Sequence, residues 1–366
     1  MDDGISPPEE TATPEGRAGG APGDACPRCG SSVESGDAFC EECGTPLRGG
    51  TGPDAVRNPW RRGPAARPCV GCGAAAIGAD GYCQSCGTRQ PSDRDHVELD
   101  VPGAGAASDK GLRHSRNEDA MAVTRLDDGV IAVVSDGVSS SPRPDEASLA
   151  AVETGVAVLG ERIAAGDGPA EATRRAAERA AAAVADLAES AAHAPACTYV
   201  SAVAGPGGIT VGWVGDSRAY WLADEGTDGA GGSELLTEDD SWAGRMVAWG
   251  VLSEREAQAD PKAHVLTGWL GADATEFEPR VRTFTPPGPG AVVVCSDGLW
   301  NYLPEAGALR AAAPAARTDP RGTAAALVRI ALEAGGHDNI TVVVVPFPEH
   351  STAGSGRQLN RERSDE

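Results

Sequence analysis

The chain has 366 residues, and 40% of them are hydrophobic, which predicts more than one structural unit and a large buried core. Its net charge of −23 argues against a nucleic-acid-binding surface, because such a surface needs a stripe of lysine and arginine. No apolar run approaches the ~18 residues of a transmembrane helix, and the first ten residues lack the basic and apolar regions of a secretory signal. These features predict a cytoplasmic protein without a membrane partner.

Shifts in composition divide the chain into segments. Proline, glycine and acidic residues fill the first 24 positions without hydrophobic periodicity, which is typical of disorder. Cysteine modules, linker-like stretches, one long region of strand and helix patterns, and a polar tail follow. The predicted boundaries are 1–24 for a disordered segment, 25–45 and 68–88 for the cysteine modules, 46–67 and 89–106 for linkers, 107–348 for the large domain and 349–366 for a disordered tail.

Eight of the ten cysteines fall into two matched modules. In each module two CxxC pairs are separated by ten residues, and the modules are offset by 43 residues. Four thiolates satisfy a tetrahedral zinc ion, whereas redox or disulfide chemistry does not require two matched sets. We therefore predict two structural zinc ions, which supply folding free energy to modules that have few apolar residues. The predicted ligands are Cys26, Cys29, Cys40, Cys43, Cys69, Cys72, Cys83 and Cys86.

The two modules resemble a tandem double zinc ribbon. The stretch between them carries Arg57, Arg61, Arg62 and Arg67 around Trp60, which fits nucleic acid or a solvated linker. Because this basic cluster is small and the ribbons carry acidic residues, a protein partner is favoured over nucleic acid. The flanking linkers predict that the ribbons are flexibly tethered and dispensable for catalysis on small peptides.

Within the large domain, short β-rich runs alternate with alanine-rich segments. The runs GVIAVVSD, TYVSAVA, ITVGWVGD, AVVVCSD and ITVVVVP are bounded by glycine, aspartate or proline and predict strands. Apolar residues at three- and four-residue steps after Pro144 predict one helix, and a second is predicted from Pro169 to about Ala192. A third is predicted from about Thr323 to Ala334. Together these patterns indicate an α+β fold in which helices cover sheets.

Acidic residues recur at the ends of these strands. Asp136, Asp216 and Asp297 each follow an apolar run and precede a small residue, whereas Asp338 precedes the last run. A single SDG sequence is more often an ordinary turn. Several carboxylates that converge on one rim of a sheet, however, repel one another unless a cation neutralises them. Oxygen ligands of this kind favour Mg²⁺ or Mn²⁺ over zinc.

The motifs GLRHSRNEDA, VVSDGV, VGDSRAY, CSDGLW and GGHDNITVVVV, in this order, resemble the metal-dependent protein phosphatase family, the type-2C phosphatases. The resemblance covers about residues 108–348. It implies an αββα sandwich of two antiparallel sheets flanked by antiparallel helix pairs. It also implies an enzyme that hydrolyses phosphoserine and phosphothreonine in phosphorylated proteins. Residues 237–272 resemble the mobile flap of this family.

The resemblance further implies a binuclear Mg²⁺ or Mn²⁺ centre that activates a water molecule, with a third and weaker ion nearby. The implied ligands are Glu118, Asp119, Asp136, the Gly137 carbonyl group, Asp216, Asp297 and Asp338. In this scheme Asp136 bridges the two ions, and Asn339 supports the neighbouring loop.

Departures from the family pattern fall around the implied phosphate site. The position of the family's phosphate-binding arginine holds His114, with Arg113 and Arg116 close by. Either arginine or His114 is a candidate to contact the phosphate, and His114 is favoured because it stands in register with the acid pair. The histidine of a second family motif is replaced by Asp240. The implied catalytic residues are Asp136, Asp297, Asp338, His114, Arg113 and Arg116.

A binding protein is the alternative to an enzyme. A phosphatase-like scaffold with weak or no turnover would sense phosphoproteins or nucleic acid through its zinc ribbons. The complete set of implied metal ligands favours the enzyme, because a scaffold does not need to keep them.

Overall fold

The computed structural model describes residues 32, 68–78, 81–224, 232–274 and 278–347. Several predictions lie outside these residues: the disordered segment 1–24, the first cysteine module with Cys26, Cys29, Cys40 and Cys43, the linker 46–67 and the tail 349–366. Within the described ranges, no helix combines the length and the apolar character that crossing a membrane requires.

Two antiparallel sheets form the centre of the large domain. The first has six strands in the spatial order β1 (His96–Val101), β2 (Ala104–Asp109), β13 (Ile340–Phe347), β12 (Gly290–Cys295), β8 (Arg218–Ala223) and β9 (Glu234–Leu235). The second has five strands in the order β11 (Arg280–Phe284), β7 (Gly208–Val214), β6 (Tyr199–Gly205), β4 (Gly129–Ser135) and β3 (Ala120–Leu126). Two short strands, β5 (Ala196–Cys197) and β10 (Leu270–Gly271), pair separately.

Helices cover the outer face of each sheet. The helices are α1 (Pro144–Ala164), α2 (Pro169–Ala185), α3 (Trp242–Ala248), α4 (Glu254–Gln258), α5 (Asp297–Trp300), α6 (Ala306–Ala312) and α7 (Pro320–Glu333). Helices α1 and α2 pack on each other and on the five-stranded sheet, whereas α7 packs on β2 and β13 of the six-stranded sheet. This arrangement confirms the predicted layers of helix, sheet, sheet and helix.

Apolar side chains of both sheets fill the space between them. Every residue of β4 is buried, as expected of a valine-rich central strand. Trp221 lies fully buried with its ring centroid 5.8 Å from that of Phe284 and 6.0 Å from that of Phe347. On the helical side, a Cβ atom at Gly155 of α1 would lie 2.7 Å from the Tyr199 hydroxyl, so only glycine allows this close approach. The core therefore holds the strand ends, and their acidic residues, in fixed positions.

The stretch 89–106 is not a linker, contrary to the prediction. Strand β1 begins at His96 and pairs with β2 in register from His96–Asp109 to Val101–Ala104. Gly103, at φ 85°, makes the turn between them. The prediction failed because β2, with the sequence AGAASD, has no β-branched or aromatic residue to mark it as a strand. The helix predicted to reach Ala192 also ends earlier, as the bounds of α2 show.

Candidate metal centre and active site

The acidic residues predicted as metal ligands meet between the two sheets. Asp136 follows β4 of the five-stranded sheet, and Asp216 lies just beyond β7 of the same sheet. Asp297 begins α5, one residue after the end of β12, and Asp338 lies two residues before β13. Both of these strands belong to the six-stranded sheet. Their proximity shows in the pKa of Asp136, which the charges of Asp119, Asp297, Asp338 and Asp216 all raise. Face-to-face packing of the sheets thus brings together acids that are distant in the sequence.

Burial and mutual repulsion raise the pKa values of four of the clustered aspartates. Burial, followed by the surrounding aspartates, raises the pKa of Asp136 well above its usual range. Burial also raises the pKa of Asp119 to about 7, and the charges of Asp338 and Asp297 add to it, although two hydroxyl hydrogen bonds oppose it. Burial and then the charge of Asp338 raise the pKa of Asp297 to about 7. The pKa of Asp216 rises through burial and its charged neighbours. A cluster of this kind favours a multivalent cation.

The acidic cluster also contains oxygen atoms with unused bonding capacity. The Oδ1 atoms of Asp119 and Asp297 are buried without a hydrogen-bond partner among the described residues. Among the residues that the structure describes, no three carboxylate groups have oxygen atoms that all lie within 4.8 Å of one another. Mg²⁺ retains several of its water ligands, so such a spacing still suits it. Hard oxygen donors, buried negative charge and unpaired acceptors together fit Mg²⁺ or Mn²⁺.

Asn339 connects the acidic loop to the strand that follows Asp338. Its Oδ1 atom accepts a hydrogen bond from the Glu118 amide at 2.8 Å. Its Nδ2 atom donates to the carbonyl groups of Lys110, at 2.8 Å, and Arg116, at 3.1 Å. These bonds join loops more than 200 positions apart, consistent with the supporting role that the resemblance implies.

A buried polar network that the sequence analysis missed lies beneath the acids. Ser296 Oγ donates to Asp119 Oδ2 at 2.8 Å and accepts from the Thr341 amide at 3.0 Å. The hydroxyl groups of Ser108 and Thr341 are 2.7 Å apart, and Asn117 Nδ2 donates to Ser108 Oγ at 2.8 Å. These five residues are all at most 2% exposed. The network orients Asp119 and anchors the main chain before Glu118.

Gly137 occupies a position that only glycine can fill. A Cβ atom there would lie 2.5 Å from the Pro144 carbonyl oxygen and 2.7 Å from that of Glu118. A side chain would therefore push the start of α1 and the acidic loop apart. The close approach keeps the Gly137 backbone beside Glu118, where the resemblance places a carbonyl ligand.

The three basic candidates for phosphate binding have different surroundings. His114 Nε2 lies 3.2 Å from Asp338 Oδ1, with 27% of the His114 side chain exposed. Arg116 Nε pairs with Glu118 Oε1 at 3.0 Å. The hydroxyl group of Ser139, two residues after Gly137, donates to Glu118 Oε2 at 2.5 Å. Arg113 is exposed on the same loop. His114 is therefore the candidate that faces the aspartates.

We predict that His114→Ala lowers kcat/KM by about tenfold or more on a phosphothreonine peptide, if His114 contacts the reacting phosphate as the position of its ring beside Asp338 suggests. Arg113→Ala, on the exposed side of the loop, serves as the matched control and should stay near wild type. Steady-state kinetics at saturating Mn²⁺ for His114→Ala, Arg113→Ala and Arg116→Ala provide the measurement. A near-normal His114→Ala beside a severely impaired arginine variant would assign phosphate binding to that arginine instead.

A buried ion pair, also missed from sequence, supports the turn that carries Asp216. Arg218 makes two hydrogen bonds to Asp239, at 2.9 and 2.7 Å, and its guanidinium lies 3.8 Å from the ring centroid of Trp300. Trp300 Nε1 in turn donates to the Asp216 carbonyl oxygen at 2.8 Å. The sequence signal was the arginine in VGDSRAY, which could have been matched to an acid in TEDD.

Asp240, which replaces a family histidine, holds the same turn from the other side. Its amide donates to the Gly215 carbonyl at 2.8 Å, and its Oδ2 atom accepts from the Gly215 amide at 3.0 Å. Its carbonyl oxygen accepts from the Thr267 amide at 2.7 Å, and its Oδ1 atom pairs with Arg280. An aspartate paired with arginine thus links the turn to both ends of the flap-like segment.

A groove of about 1150 Å³ opens beside the acids. The helices α3 and α4 of the flap-like segment line one part of it, and residues 300–307 line another. Asn301, in its wall, donates to Asp297 Oδ2 at 3.3 Å. None of the candidate metal ligands lines this groove itself, and the Asn301–Asp297 hydrogen bond is the contact that connects its wall to the acids.

The second cysteine module brings its four thiols together. All four sulfur atoms lie within 4.8 Å of one another, and two pairs are 3.6 Å apart. Gly73 and Gly87, each directly after a CxxC pair, have φ angles of 76° and 71°, which favour glycine. The Gly71 amide donates to Cys69 Sγ at 3.3 Å. Four clustered thiols with amide donors fit a closed tetrahedral zinc site.

The raised pKa values predict an unusual pH dependence of the metal-free protein. Asp119 and Asp297 have pKa values of about 7 when folded and ordinary values when unfolded, so the folded state holds more protons between about pH 4 and 7. The free energy of unfolding should therefore fall as pH rises through this range, by about 1 kcal/mol or more. Urea unfolding from pH 5 to 8, without Mn²⁺ or Mg²⁺, measures this change in the free energy of unfolding.

Asp119→Asn should flatten this dependence, because it removes one of the groups whose pKa is raised in the folded state. Mn²⁺ should stabilise the wild type more at pH 8 than at pH 5.5, since metal ligands must lose their protons. Metal-free stability that stays level or rises between pH 5 and 7 would contradict the assignment.

Comparison with known proteins identifies this combination of fold and site. Residues 111–329 match the family described as Protein phosphatase 2C, and residues 26–87 match the one described as Double zinc ribbon. The αββα sandwich with acidic residues between its sheets is thus the fold and site of a phosphatase of this type. Because the first match covers more than half of the 366 residues, the chain belongs to the protein phosphatase 2C family.

Relatives and solved structures agree with this family. The serine/threonine phosphatase stp of Listeria innocua is 32% identical over 150 residues, which are 40% of this chain and 55% of the relative. The chain thus spans about half the length of this curated relative. The PPM Ser-Thr phosphatase MsPP from Mycobacterium smegmatis, solved with cacodylate, is 30% identical with a TM-score of 0.54, over 68% of this chain and 99% of that chain.

The catalytic domain of the serine/threonine protein phosphatase PstP, solved in complex with two manganese ions, shares the fold. It is 24% identical, with a TM-score of 0.54, over 66% of this chain and 96% of that chain. These comparisons confirm the predicted fold class.

Proposed function

We propose that this protein is a serine/threonine protein phosphatase that hydrolyses phosphoserine and phosphothreonine in other proteins with the aid of two Mg²⁺ or Mn²⁺ ions. The observation that carries the proposal is the buried acidic cluster between the sheets, whose members raise one another's pKa values. Such repulsion is unfavourable unless cations occupy the cluster. The two manganese ions of the related PstP structure support the same metal chemistry for this chain.

The residues of the cluster have distinct proposed roles. Asp136, at the centre of the acids, would bridge two ions, with Asp297 and Asp338 completing one of them. Glu118, Asp119 and the Gly137 carbonyl would serve the other, and Asp216 with Asp297 a third. When bound, the ions supply an activated water for attack on phosphorus and neutralise the charge that develops there.

The remaining residues would bind the substrate and orient the metal ligands. His114, beside Asp338, would hold the phosphate or donate a proton to the leaving oxygen. The groove walls would hold the peptide on either side of the phosphorylated residue. Asn339 and Ser296 keep the acids oriented, so little rearrangement is needed during the reaction.

The zinc ribbons have a proposed docking role. Two structural zinc ions, one in each ribbon, would stabilise modules that present a surface to a protein partner or to the substrate protein. The acidic composition of the chain favours a protein over nucleic acid for this contact. A cytoplasmic location is proposed with this role, since cysteines that bind zinc and form no disulfides suit a reducing compartment.

The function is tested with a phosphothreonine peptide. Phosphate should be released in the presence of Mn²⁺ or Mg²⁺, and a chelator of divalent ions should stop the release until the metal is restored. Activity that persists without divalent ions would refute the two-metal proposal. A protein that binds Mn²⁺ but releases no phosphate would support the scaffold alternative.

A further inference from the structure

The connector Arg89–Asp95, which joins the second zinc ribbon to β1, is bonded to the ribbon at its start. The Gln90 amide donates to the Gly81 carbonyl oxygen at 2.8 Å. The Gln90 side chain donates from Nε2 to Cys69 Sγ at 3.3 Å and accepts from the Val70 amide at 2.9 Å. Gln90 thus belongs to the connector and also contacts a sulfur atom of the zinc site. The conformation of the connector therefore depends on a folded ribbon.

An ion pair closes the connector into a rigid loop. Arg89 makes two hydrogen bonds to Asp95, Nη1 to Oδ2 at 2.8 Å and Nη2 to Oδ1 at 2.6 Å. The Ser92 amide donates to Asp95 Oδ2 at 3.1 Å, and the Lys110 amide donates to the Asp95 carbonyl at 2.9 Å. A bidentate arginine–carboxylate pair restricts both orientation and distance. The ribbon is therefore braced against the catalytic domain, not flexibly tethered to it as the sequence predicted.

Arg94, inside this loop, reaches the segment that carries the acid pair. Its Nη2 atom donates to the Asp119 carbonyl oxygen at 3.1 Å. Its own carbonyl oxygen accepts from Asn117 Nδ2 at 3.1 Å. Arg94 thus bonds the residues on both sides of Glu118, the Asp119 main chain through its guanidinium and the Asn117 side chain through its carbonyl group, while Asn339 accepts from the Glu118 amide.

We propose that Arg94 is a positioning residue for Glu118 and Asp119, and that the zinc-loaded second ribbon keeps Arg94 in place through the Arg89–Asp95 pair. Zinc in the ribbon thereby raises the affinity of the catalytic centre for Mn²⁺ or Mg²⁺. The inference rests on the proposed function only for the role of Glu118 and Asp119 as metal ligands.

The physical basis is the free energy of ordering. A ribbon of this size depends on its metal to fold, so loss of zinc releases Gln90 and with it the start of the connector. The connector then gains conformational freedom that must be lost again when Arg94 docks on Asp119. Partners that orient metal ligands have large effects on metal affinity even though they do not touch the ion.

The first test uses substitutions in the full chain, loaded with zinc. Arg94→Gln should weaken Mn²⁺ binding by about tenfold, measured by titration calorimetry, and Arg94→Lys should weaken it less. Arg89→Gln should act in the same direction, because it opens the loop. Arg329→Gln is the matched control, since the Arg329 side chain on α7 is 68% exposed and pairs with Glu333 at 3.9 Å, on the same helix.

Amide hydrogen exchange of residues 116–120, measured without Mn²⁺, gives a readout that is independent of activity. Arg94→Gln should speed exchange there, while zinc content and melting temperature stay at wild-type values. Unchanged Mn²⁺ affinity and unchanged exchange in Arg94→Gln would overturn the positioning role.

The second test asks whether the ribbon acts through Arg94. Cys86→Ser, which removes one zinc ligand, should lower the affinity for Mn²⁺. The double variant Arg94→Gln/Cys86→Ser should have the same Mn²⁺ affinity as the single variant that binds Mn²⁺ less tightly. Effects that multiply would show that the ribbon does not act through Arg94, and would overturn that part of the proposal. Because binding and exchange are measured without substrate, a lack of phosphatase activity would refute the proposed function separately.

Discussion

Asp136→Asn is expected to lower kcat on a phosphothreonine peptide by on the order of 10²–10³-fold at saturating Mn²⁺. After burial, the charges of four other aspartates raise the pKa of Asp136, which is the carboxylate proposed to be shared by two ions. Asparagine keeps the shape of the side chain and removes the charge, and hence the bridging ligand. Single-turnover phosphate release, measured over a range of Mn²⁺ concentrations, separates weaker metal binding from slower chemistry.

The stability of this variant supplies the internal control. Without divalent ions, Asp136→Asn should melt at a temperature equal to or above that of wild type, because it relieves repulsion among buried acids. Asp128→Asn, at an exposed acid in the turn between β3 and β4, should change neither property. An Asp136→Asn protein that retains near-normal kcat at all Mn²⁺ concentrations would remove Asp136 from the metal centre.

Arg218→Gln is expected to destabilise the protein by about 3–5 kcal/mol, because it leaves a buried carboxylate without its partner. The side chains of Arg218 and Asp239 are only 9% and 6% exposed. Although burial opposes it, the hydrogen bond to Asp239 raises the pKa of Arg218, so the guanidinium is charged at all working pH values. Urea unfolding at pH 7.5, in buffer without added Mn²⁺ or Mg²⁺, measures the change.

An exposed ion pair between β11 and β9 provides the comparison. Arg282 and Glu234 are 43% and 42% exposed, so Arg282→Gln should cost at most about 1 kcal/mol. The double variant Arg218→Met/Asp239→Leu should recover part of the stability lost in Arg218→Gln, since neither charge then remains buried alone. A cost for Arg218→Gln as small as that for Arg282→Gln would show that water reaches Asp239.

Strand ends were predictable because their signals are local. Valine-rich runs that end just before an aspartate, or begin just after one, indicate both the strand and the acid at its end, and the structure places β4, β7, β12 and β13 at those runs. Hairpin β1–β2 was missed because small residues carry little strand signal. Pairing with β13 along five residues, from Ile340–Asp109 to Val344–Gly105, makes β2 a strand.

The network beneath the acids was not predictable from sequence. Ser108 and Thr341 are 233 positions apart and become neighbours through the register of β2 against β13. Ser296 and Asp119 are 177 positions apart. Serine and threonine are common in every sequence, so only the paired strands distinguish the ones that meet.

The sequence by itself determined the chemistry of this protein, because cysteine spacing and acids at strand ends are local patterns whose metal preferences follow from the ligand atoms. The tertiary structure alone decided how the parts act on one another. It turned His114 toward Asp338, paired Arg218 with Asp239, and joined the second ribbon to the acidic loop through Arg94. These contacts depend on sheet packing and strand register, which arise from the burial of the whole core and not from any short stretch of residues.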